Sequence, residues 1–535
     1  MKNIFRGFLF LIVFTATSSI HAQVVPSIEW AKCLGGNSDD FGYSVQQTID
    51  GGFIVAGSSM SNNGDVSGNH GYHDVWIVKL DSAGNIIWQK SFGGSAGDFA
   101  YSIQQTLEGG FIIAGWSNSI DGDVTGNHGN DDYWIVKLDM SGALVWQKSL
   151  GGSGNDQAQS VQQTTDSGFI VAGFSFSNDG DVSGNHGYGD YWIVKLDTEG
   201  NLEWQKCLGG SANDQAHSIS TTTDGGFVVA GYSFSNDFDV SGNHGGSDYW
   251  IVKLSSIGNL EWQKSLGGSD NEQGYSIQQA TDGSFIVAGH SFSNDGNVSG
   301  NHGSCDYWIV KIDMDGNIVW QKSLGGTSDD RAYSIQLTSD GGFIIAGSPV
   351  SNNGDVSGNH GFLDYWLIRL DTNGNLIWQK CLGGSRGDLT FAVQQTSDNG
   401  FIVAGNSISN DGDVTGWHEG YYVMYYGADT IFYSDYWIVK LSSDIPTAFI
   451  SPPNDSISLH PNPVQSQLII NLATSNNEAI IRVYDLQGRM IALPTTFINT
   501  QAQLNTTALI DGFYTLQIIN KKTGENEVGK FVKGE

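Results

Sequence analysis

The sequence predicts an all-β chain: a seven-bladed β-propeller of four-stranded blades, followed by a small C-terminal β-sandwich. Three observations predict it. A Leu-Gly-Gly marker (once Phe-Gly-Gly) begins at residues 34, 92, 150, 208, 266, 324 and 382, so seven repeats follow one another at a fixed 58-residue step. Each repeat reads as four short strands with no helical period between them. The seventh repeat stops one strand short, and that strand stands at the start of the chain.

The strands of the third repeat show the pattern. Residues 158–164 alternate weakly and are polar, whereas 169–176 (FIVAGFSF) are nearly continuously apolar, as expected of a strand covered on both faces. Residues 190–197 and 201–208 complete the set, with Thr-Asp-Ser-Gly and Thr-Glu-Gly-Asn as tight turns. One such sheet cannot bury two apolar faces alone, so neighbouring repeats must cover it. The seventh repeat ends at Leu441 without its Asn-x-x-Trp-Gln-Lys strand, and Ile28 to Leu34 supplies it, with Trp30 in the series of Trp88, Trp146 and Trp204. A chain whose first strand completes its last sheet forms a closed ring.

Composition narrows the partners. Acidic residues number 56 against 24 basic, a formal charge of −32, and such a surface repels phosphate backbones, so nucleic acid is excluded. Lys2 and Arg6 precede an apolar run from Phe8 to Phe14 and small residues ending at Ala22, which predicts a signal peptide over residues 1–22. That run is too short to span a bilayer, and no later stretch predicts a transmembrane segment. Cys33, Cys207 and Cys381 share one repeat position, and equivalent positions on separate blades lie too far apart for a disulfide.

The propeller is expected over 23–441, a Ser/Pro/Asp-rich linker over 442–457, and a second domain over 458–535 with strands at 467–471, 480–484 and 513–519. Four landmarks mark this last domain: Ser458-Leu459-His460-Pro461-Asn462-Pro463, Val483-Tyr484-Asp485-Leu486-Gln487-Gly488, Gly512-Phe513-Tyr514, and Lys530-Phe531-Val532-Lys533. In that order they closely resemble the C-terminal sorting domain (type A) of type IX secretion substrates. The resemblance implies a β-sandwich that engages the type IX secretion machinery, with the cargo released or held at the outer-membrane surface. The blade and its end-strand closure resemble WD-repeat propellers, although Gly-His and Trp-Asp are not at that family's positions. The hairpin Val194 to Trp204 resembles the tryptophan-docking hairpin of pyrroloquinoline-quinone-type propellers, which speaks to packing. The 58-residue unit as a whole resembles repeats of exported Bacteroidetes proteins.

Candidate chemistry lies where the second-to-third-strand loop and the inter-blade link emerge, on one face. The loop carries a His at every repeat, from His70 to His418, and a central acid from Asp65 to Asp413, with Asn297 in the fifth. The link adds an acid from Asp40 to Asp388, with Glu272 in the fifth. Oxygens of Asp179, Asp181, Asn185 and Asp190 in a Gly-permitted loop are candidate calcium ligands, although the bidentate Glu of an EF-hand is missing. The alternative is that Asp and Asn make Asx-turns while His and Asp brace strand ends. Seven single histidines on separate blades give no converging transition-metal cluster. No unique nucleophile, base and orienter set stands out, so no catalytic residue is assigned.

Symmetry breaks in the seventh repeat, where 13 extra residues separate His418 from Asp435 relative to the third. Trp417, Tyr421, Tyr422, Tyr425, Tyr426 and Tyr433 gather there, and Trp116 opens the equivalent loop of the second repeat. These are the candidate ligand-binding residues, since exposed aromatics stack on sugar rings or anchor a protein. Capping of the channel, or packing on the sorting domain, is the alternative for the insertion. The function expected is a non-catalytic binding or display propeller, a monomer, with a polysaccharide or protein as ligand. The alternatives are a glycoside hydrolase-like enzyme drawing acid and base from the ring, against which symmetric acids argue, and a purely structural module.

Overall fold

The computed structural model describes residues 24–418, 420–423, 430–444, 459–460, 464–471, 479–484, 490–498, 501–510, 512–520 and 526–534. Its regular elements are all strands. They divide into two compact units, one reaching Ile445 and the other starting at Pro446.

The first unit is a ring of seven four-stranded antiparallel sheets. In the third blade the strands are Asp156–Gln163, Phe169–Ser175, Asp190–Leu196 and Leu202–Leu208, paired in that order. The first strand begins two residues earlier than its side-chain pattern predicts, because the Asp156 amide donates to the Asp131 carbonyl at 2.5 Å and draws the link into the sheet. Burial follows the hydrophobic pattern. The two middle strands are covered along their whole length, while the outer strand exposes its first residues. Each core is shared across a seam: Ile112, Tyr133 and Ile135 of one blade pack with Val171, Trp192 and Val194 of the next. Tyr133 Oη donates to the Trp192 carbonyl at 2.8 Å, and Trp192 Nε1 to Gln205 Oε1 at 2.9 Å, so both buried rings satisfy their polar atoms.

Three devices close the ring. Ile28–Leu34 pairs antiparallel with Asp435–Leu441, with Leu34 opposite Tyr436, and completes the seventh sheet as the sequence predicts. The outer-strand tryptophans dock on the next blade's hairpin. Trp146 packs on Gly200, whose φ of +78° opens the turn, and donates to the Thr198 carbonyl at 3.3 Å. Trp30 does the same across the closure, on Gly84 and the Ser82 carbonyl at 3.1 Å. A belt of glutamines joins the first strands: the Gln105 amide donates to Gln46 Oε1 at 2.6 Å, and the Gln47 amide to Gln394 Oε1 at 2.5 Å.

The second unit is a β-sandwich. Leu459–His460, Gln467–Asn471, Gln501–Asn505 and Thr495–Ile498 form one sheet, and Met490–Ile491, Ala479–Tyr484, Gly512–Asn520 and Asn526–Lys533 the other. Leu468, Ile470 and Leu504 of the first meet Val483, Leu516 and Ile518 of the second in one core.

Candidate functional site: the loop face and the channel mouth

The loop face rests on a repeated hydrogen-bond frame. Asp190 is fully buried, and its Oδ2 accepts the His186 amide at 2.9 Å and lies 2.8 Å from His186 Nδ1. Its Oδ1 has no partner, nor has the matching oxygen of Asp74, Asp132, Asp248, Asp306, Asp364 or Asp435. Burial pushes the Asp190 carboxyl up to about 6, the cost of holding a half-satisfied carboxylate away from water. The link acid Asp156 is better served: Oδ2 accepts the Gly152 amide and Ser177 Oγ, both at 2.8 Å, and Ser175 Oγ donates to Oδ1. The Gly151 backbone lies between the carboxyls of Asp156 and of Asp132, the strand-entry acid of the preceding blade, and a β-carbon there would fall 2.6 Å from an oxygen of each.

The other candidate calcium ligands have local partners as well. Asp179 Oδ1 accepts the Ser153 amide at 2.7 Å, and Asp181 Oδ2 the Gly151 amide at 3.3 Å. Asn185 Nδ2 donates to the Ser175 and Tyr188 carbonyls, while its Oδ1 accepts the Gly187 amide. Among the described residues no three His, Cys, Asp or Glu side chains gather as metal ligands. Each of the four cysteines is buried and unpaired.

The blade-seven insertion rises from a firm base. Tyr421–Val423 and Thr430–Phe432 form a two-stranded hairpin, and the Tyr433 amide donates to the Gly420 carbonyl at 3.0 Å. Trp417 is buried, and its Nε1 donates to the Tyr433 carbonyl at 2.9 Å, so this indole ties the two ends of the insertion together. The Arg386 guanidinium lies 3.7 Å from the Phe432 ring centroid and 5.6 Å from that of Trp417. Asp39 of the first blade accepts the Ser434 amide at 3.0 Å, which fixes the insertion's exit to the closing seam. Tyr433 is half-buried, Tyr421 and Tyr422 lie on the hairpin strand, and Tyr425 and Tyr426 fall outside the described residues.

Trp116 stands elsewhere, at the channel mouth. The first strands line the channel, and the rings of their fourth residues form a nearly continuous wall. Tyr43 lies 4.9 Å from Tyr101 and 5.0 Å from Phe391, and the series continues through Tyr333 and Tyr275 to His217. Trp116 stacks on Phe99 at 4.4 Å, and its Nε1 donates to Tyr101 Oη at 3.3 Å. His73 lies 4.6 Å from the other side of that cluster, and burial holds its imidazole down at about 4. A search for recurring residues passes over this group because it does not recur. Its signal is divergence: the sixth residue of the second strand runs from Ser58 and Trp116 through Phe174, Tyr232 and His290 to Asn406, inside a strand whose neighbours barely change.

Residues 458–533 match the family described as the secretion system C-terminal sorting domain. The regulatory protein FlaEY of Caulobacter vibrioides is 27% identical over 192 residues, covering 33% of this chain and 20% of that protein. An uncharacterised WD repeat-containing protein of Acanthamoeba polyphaga mimivirus is 20% identical over 471 residues, 71% of this chain and 31% of that one. The chain thus spans less than a third of either curated relative. Among solved structures, PorZ, a surface component of the type IX secretion system of Porphyromonas gingivalis, is similar at a TM-score of 0.41 and 10% identity, over 94% of this chain and 60% of that chain. The sorting domain marks an exported chain, secreted or held at the cell surface.

Proposed function

We propose that this exported propeller is a non-catalytic binding or display module that holds a polysaccharide or protein on its loop face. The observation that carries the reading is the insertion of blade seven: it alone departs from the 58-residue frame, and Arg386, Trp417 and Asp39 fix its base. An insertion rich in aromatic residues suits binding, since large rings supply contact area at small entropic cost. The link acids favour binding over catalysis. General acid and base need carboxyls in different surroundings, whereas Asp156 and its counterparts repeat the same serine and glycine partners.

The test uses the full chain on a glycan array and on immobilised cell-surface proteins, alongside turnover assays on the same glycans. Binding without turnover, lost when residues 419–433 are replaced by the two corresponding residues of blade three, Gly187 and Tyr188, is expected. Glycan turnover that falls on mutating one blade's acids would replace the reading with an enzyme. Absence of any binding would leave a structural module.

A further inference from the structure

Blades three, four and five share side chains that the other four lack, at the rim where the loop face meets the channel. Asn155, Asn213 and Asn271 stand two residues before Gln157, Gln215 and Gln273, and Phe176, Phe234 and Phe292 follow the second strand. At the Phe position the remaining blades carry Met60, Asn118, Val350 and Ile408, and at the Asn position Asp39, Gly97, Asp329 and Gly387. The backbone frame beneath is common to all seven. The Phe234 amide donates to the Asn213 carbonyl at 3.0 Å, as the Met60 amide does to Asp39 at 2.9 Å and the Ile408 amide to Gly387 at 3.1 Å. Packing therefore admits other side chains here. Nor are the three blades alike throughout: Gly154, Ala212 and Asp270 precede the Asn, and Phe174, Tyr232 and His290 stand two residues before the Phe.

The shared side chains meet across the seams and are open to solvent. Phe176 is 41% and Phe234 43% exposed, and Asn155 and Asn271 are exposed as well. A point beside Gly189, where its β-carbon would stand, lies 3.0 Å from Phe176 Cζ and 2.7 Å from Asn213 Oδ1. The ring of blade three and the carboxamide of blade four thus flank one backbone position. From there the contacts continue without a gap. Gln215 Nε2 donates to Asn213 Oδ1 at 3.4 Å, Tyr232 Oη donates to Gln215 Oε1 at 2.6 Å, and the Tyr232 and Phe234 rings lie 5.8 Å apart. These bonds leave N–H donors on both carboxamides. The pattern runs on into blade five, where Asn271 Oδ1 accepts the Ser247 amide of blade four at 3.0 Å and the Asn271 carbonyl accepts the Phe292 amide at 3.0 Å.

We propose, resting on the binding reading above, that this arc from Phe176 to Phe292 holds a linear neutral polysaccharide. Successive sugar rings lie on the phenylalanines, and their hydroxyls bond to the asparagine and glutamine carboxamides. The chemistry selects this class. Exposed rings beside uncharged groups that both donate and accept suit a pyranose, whose C–H faces are apolar and whose hydroxyls do both. A hydrocarbon would leave the carboxamides without partners. An anionic glycan would approach a chain of formal charge −32 and find no cation among Phe176, Asn213, Gln215, Tyr232 and Phe234. A ligand of repeating units also matches a platform repeated on three neighbouring blades, since each further unit engaged adds to the affinity.

Calorimetry and saturation-transfer NMR on the full chain test this, with maltohexaose, cellohexaose, xylohexaose and mannohexaose, their disaccharides, and hexagalacturonate as the anionic comparator. At least one neutral hexaose should bind, about tenfold or more tighter than its disaccharide, and hexagalacturonate should not. Phe234→Val and Asn213→Gly install residues that the same frame carries in blades six and two, as Val350 and Gly97. Circular dichroism should therefore show the fold intact while each variant weakens binding by about tenfold. Ile257→Ala, in the exposed turn between the third and fourth strands of blade four, should leave affinity unchanged. Hexaose binding unchanged by Phe234→Val and Asn213→Gly would overturn the arc, and if it is lost on replacing residues 419–433 the binding reading stands. Capture of a cell-surface protein with no neutral glycan bound would likewise overturn the arc alone, as would hexagalacturonate binding as tightly as any neutral probe. No binding to any probe or protein would remove both.

Discussion

Gly173 shows how little freedom a blade residue has. A β-carbon there would drive into the Gln157 carbonyl and lie 2.7 Å from Tyr133 Oη, the hydroxyl that crosses the seam to the Trp192 carbonyl. Gly173→Ala should therefore cost about 1–3 kcal/mol or more, as overpacking against backbone does. Gly51→Ala, at φ +82° with nothing within 4 Å, should cost only the roughly 1 kcal/mol of a left-handed backbone. Equal losses in urea unfolding would show that the seam tolerates the methyl group. At the loop acids a different argument applies. Asp179, Asp181 and Asp190 accept amide N–H groups, which a cation would have to displace. Millimolar calcium should accordingly leave the melting temperature where a chelator leaves it; a clear rise would mean binding to the native state and recast these acids as ligands. The recurring Asp and His were visible in the sequence because repetition marks them, with cation binding and bracing both open, while the orphaned Oδ1 atoms were not, since satisfaction of a buried oxygen depends on the neighbouring blade.

At the scale of the element, the closing strand is the most exposed to test. Ile28–Leu34 gives the Asp435–Leu441 strand its outer partner and carries Trp30 to the hairpin of blade one. Deleting residues 23–34 leaves one strand edge bare and one hairpin undocked, at the only seam where the two ends of the propeller meet. The prediction is a broad, non-cooperative unfolding transition and self-association through the bare edge. Trp146→Ala, which undocks one hairpin within a continuous chain, should lower the melting temperature but keep a single transition. If both variants unfold alike, the closing strand has no special part in cooperativity. The missing seventh strand and its copy near the N-terminus made this closure readable from sequence, and the hairpin likeness anticipated the docking. Strand starts are less legible: Asp156 joins its sheet through a backbone hydrogen bond to the Asp131 carbonyl of the preceding blade, which no side-chain alternation records. The rings of His73 and Phe99 beside Trp116 escaped for a related reason, because residues that differ between repeats resemble noise until the ring brings them together.

Over the whole molecule, burial of carboxyls in a chain of charge −32 sets the response to pH. Burial raises Asp40 to about 7, and Asp98, Asp132, Asp190, Asp248, Asp388 and Asp435 to about 6. A carboxyl whose folded value exceeds its unfolded one stabilises the fold fully at low pH, and that contribution is lost as pH rises through 6 to 7. Hairpin acids run the other way. Although partial burial opposes it, Lys311 and Ser284 hold Asp282 down at about 2, and Thr222, the Gly226 amide and Lys253 do so for Asp224, so their contribution is lost as pH falls from about 4 towards 2. Burial also depresses His73 and His217 to about 4 and His290 to about 3, and these three disfavour the fold as pH drops below about 6.5. The seven raised carboxyls outnumber the three histidines, and protonation also relieves the molecule's self-repulsion. The melting temperature should therefore rise from pH 8 to a maximum at about 4, where unfolded carboxyls begin to take up protons, then fall as pH drops towards 2, with shifts of about 2–4 °C for each kcal/mol. Asp40→Asn, which keeps the size of the side chain and removes its charge, should flatten the alkaline limb. A melting temperature that is level or higher at pH 8 than at 5.5 would mean that the seams accommodate their carboxylates ionised, with solvent or a counter-charge reaching the Oδ1 atoms after all.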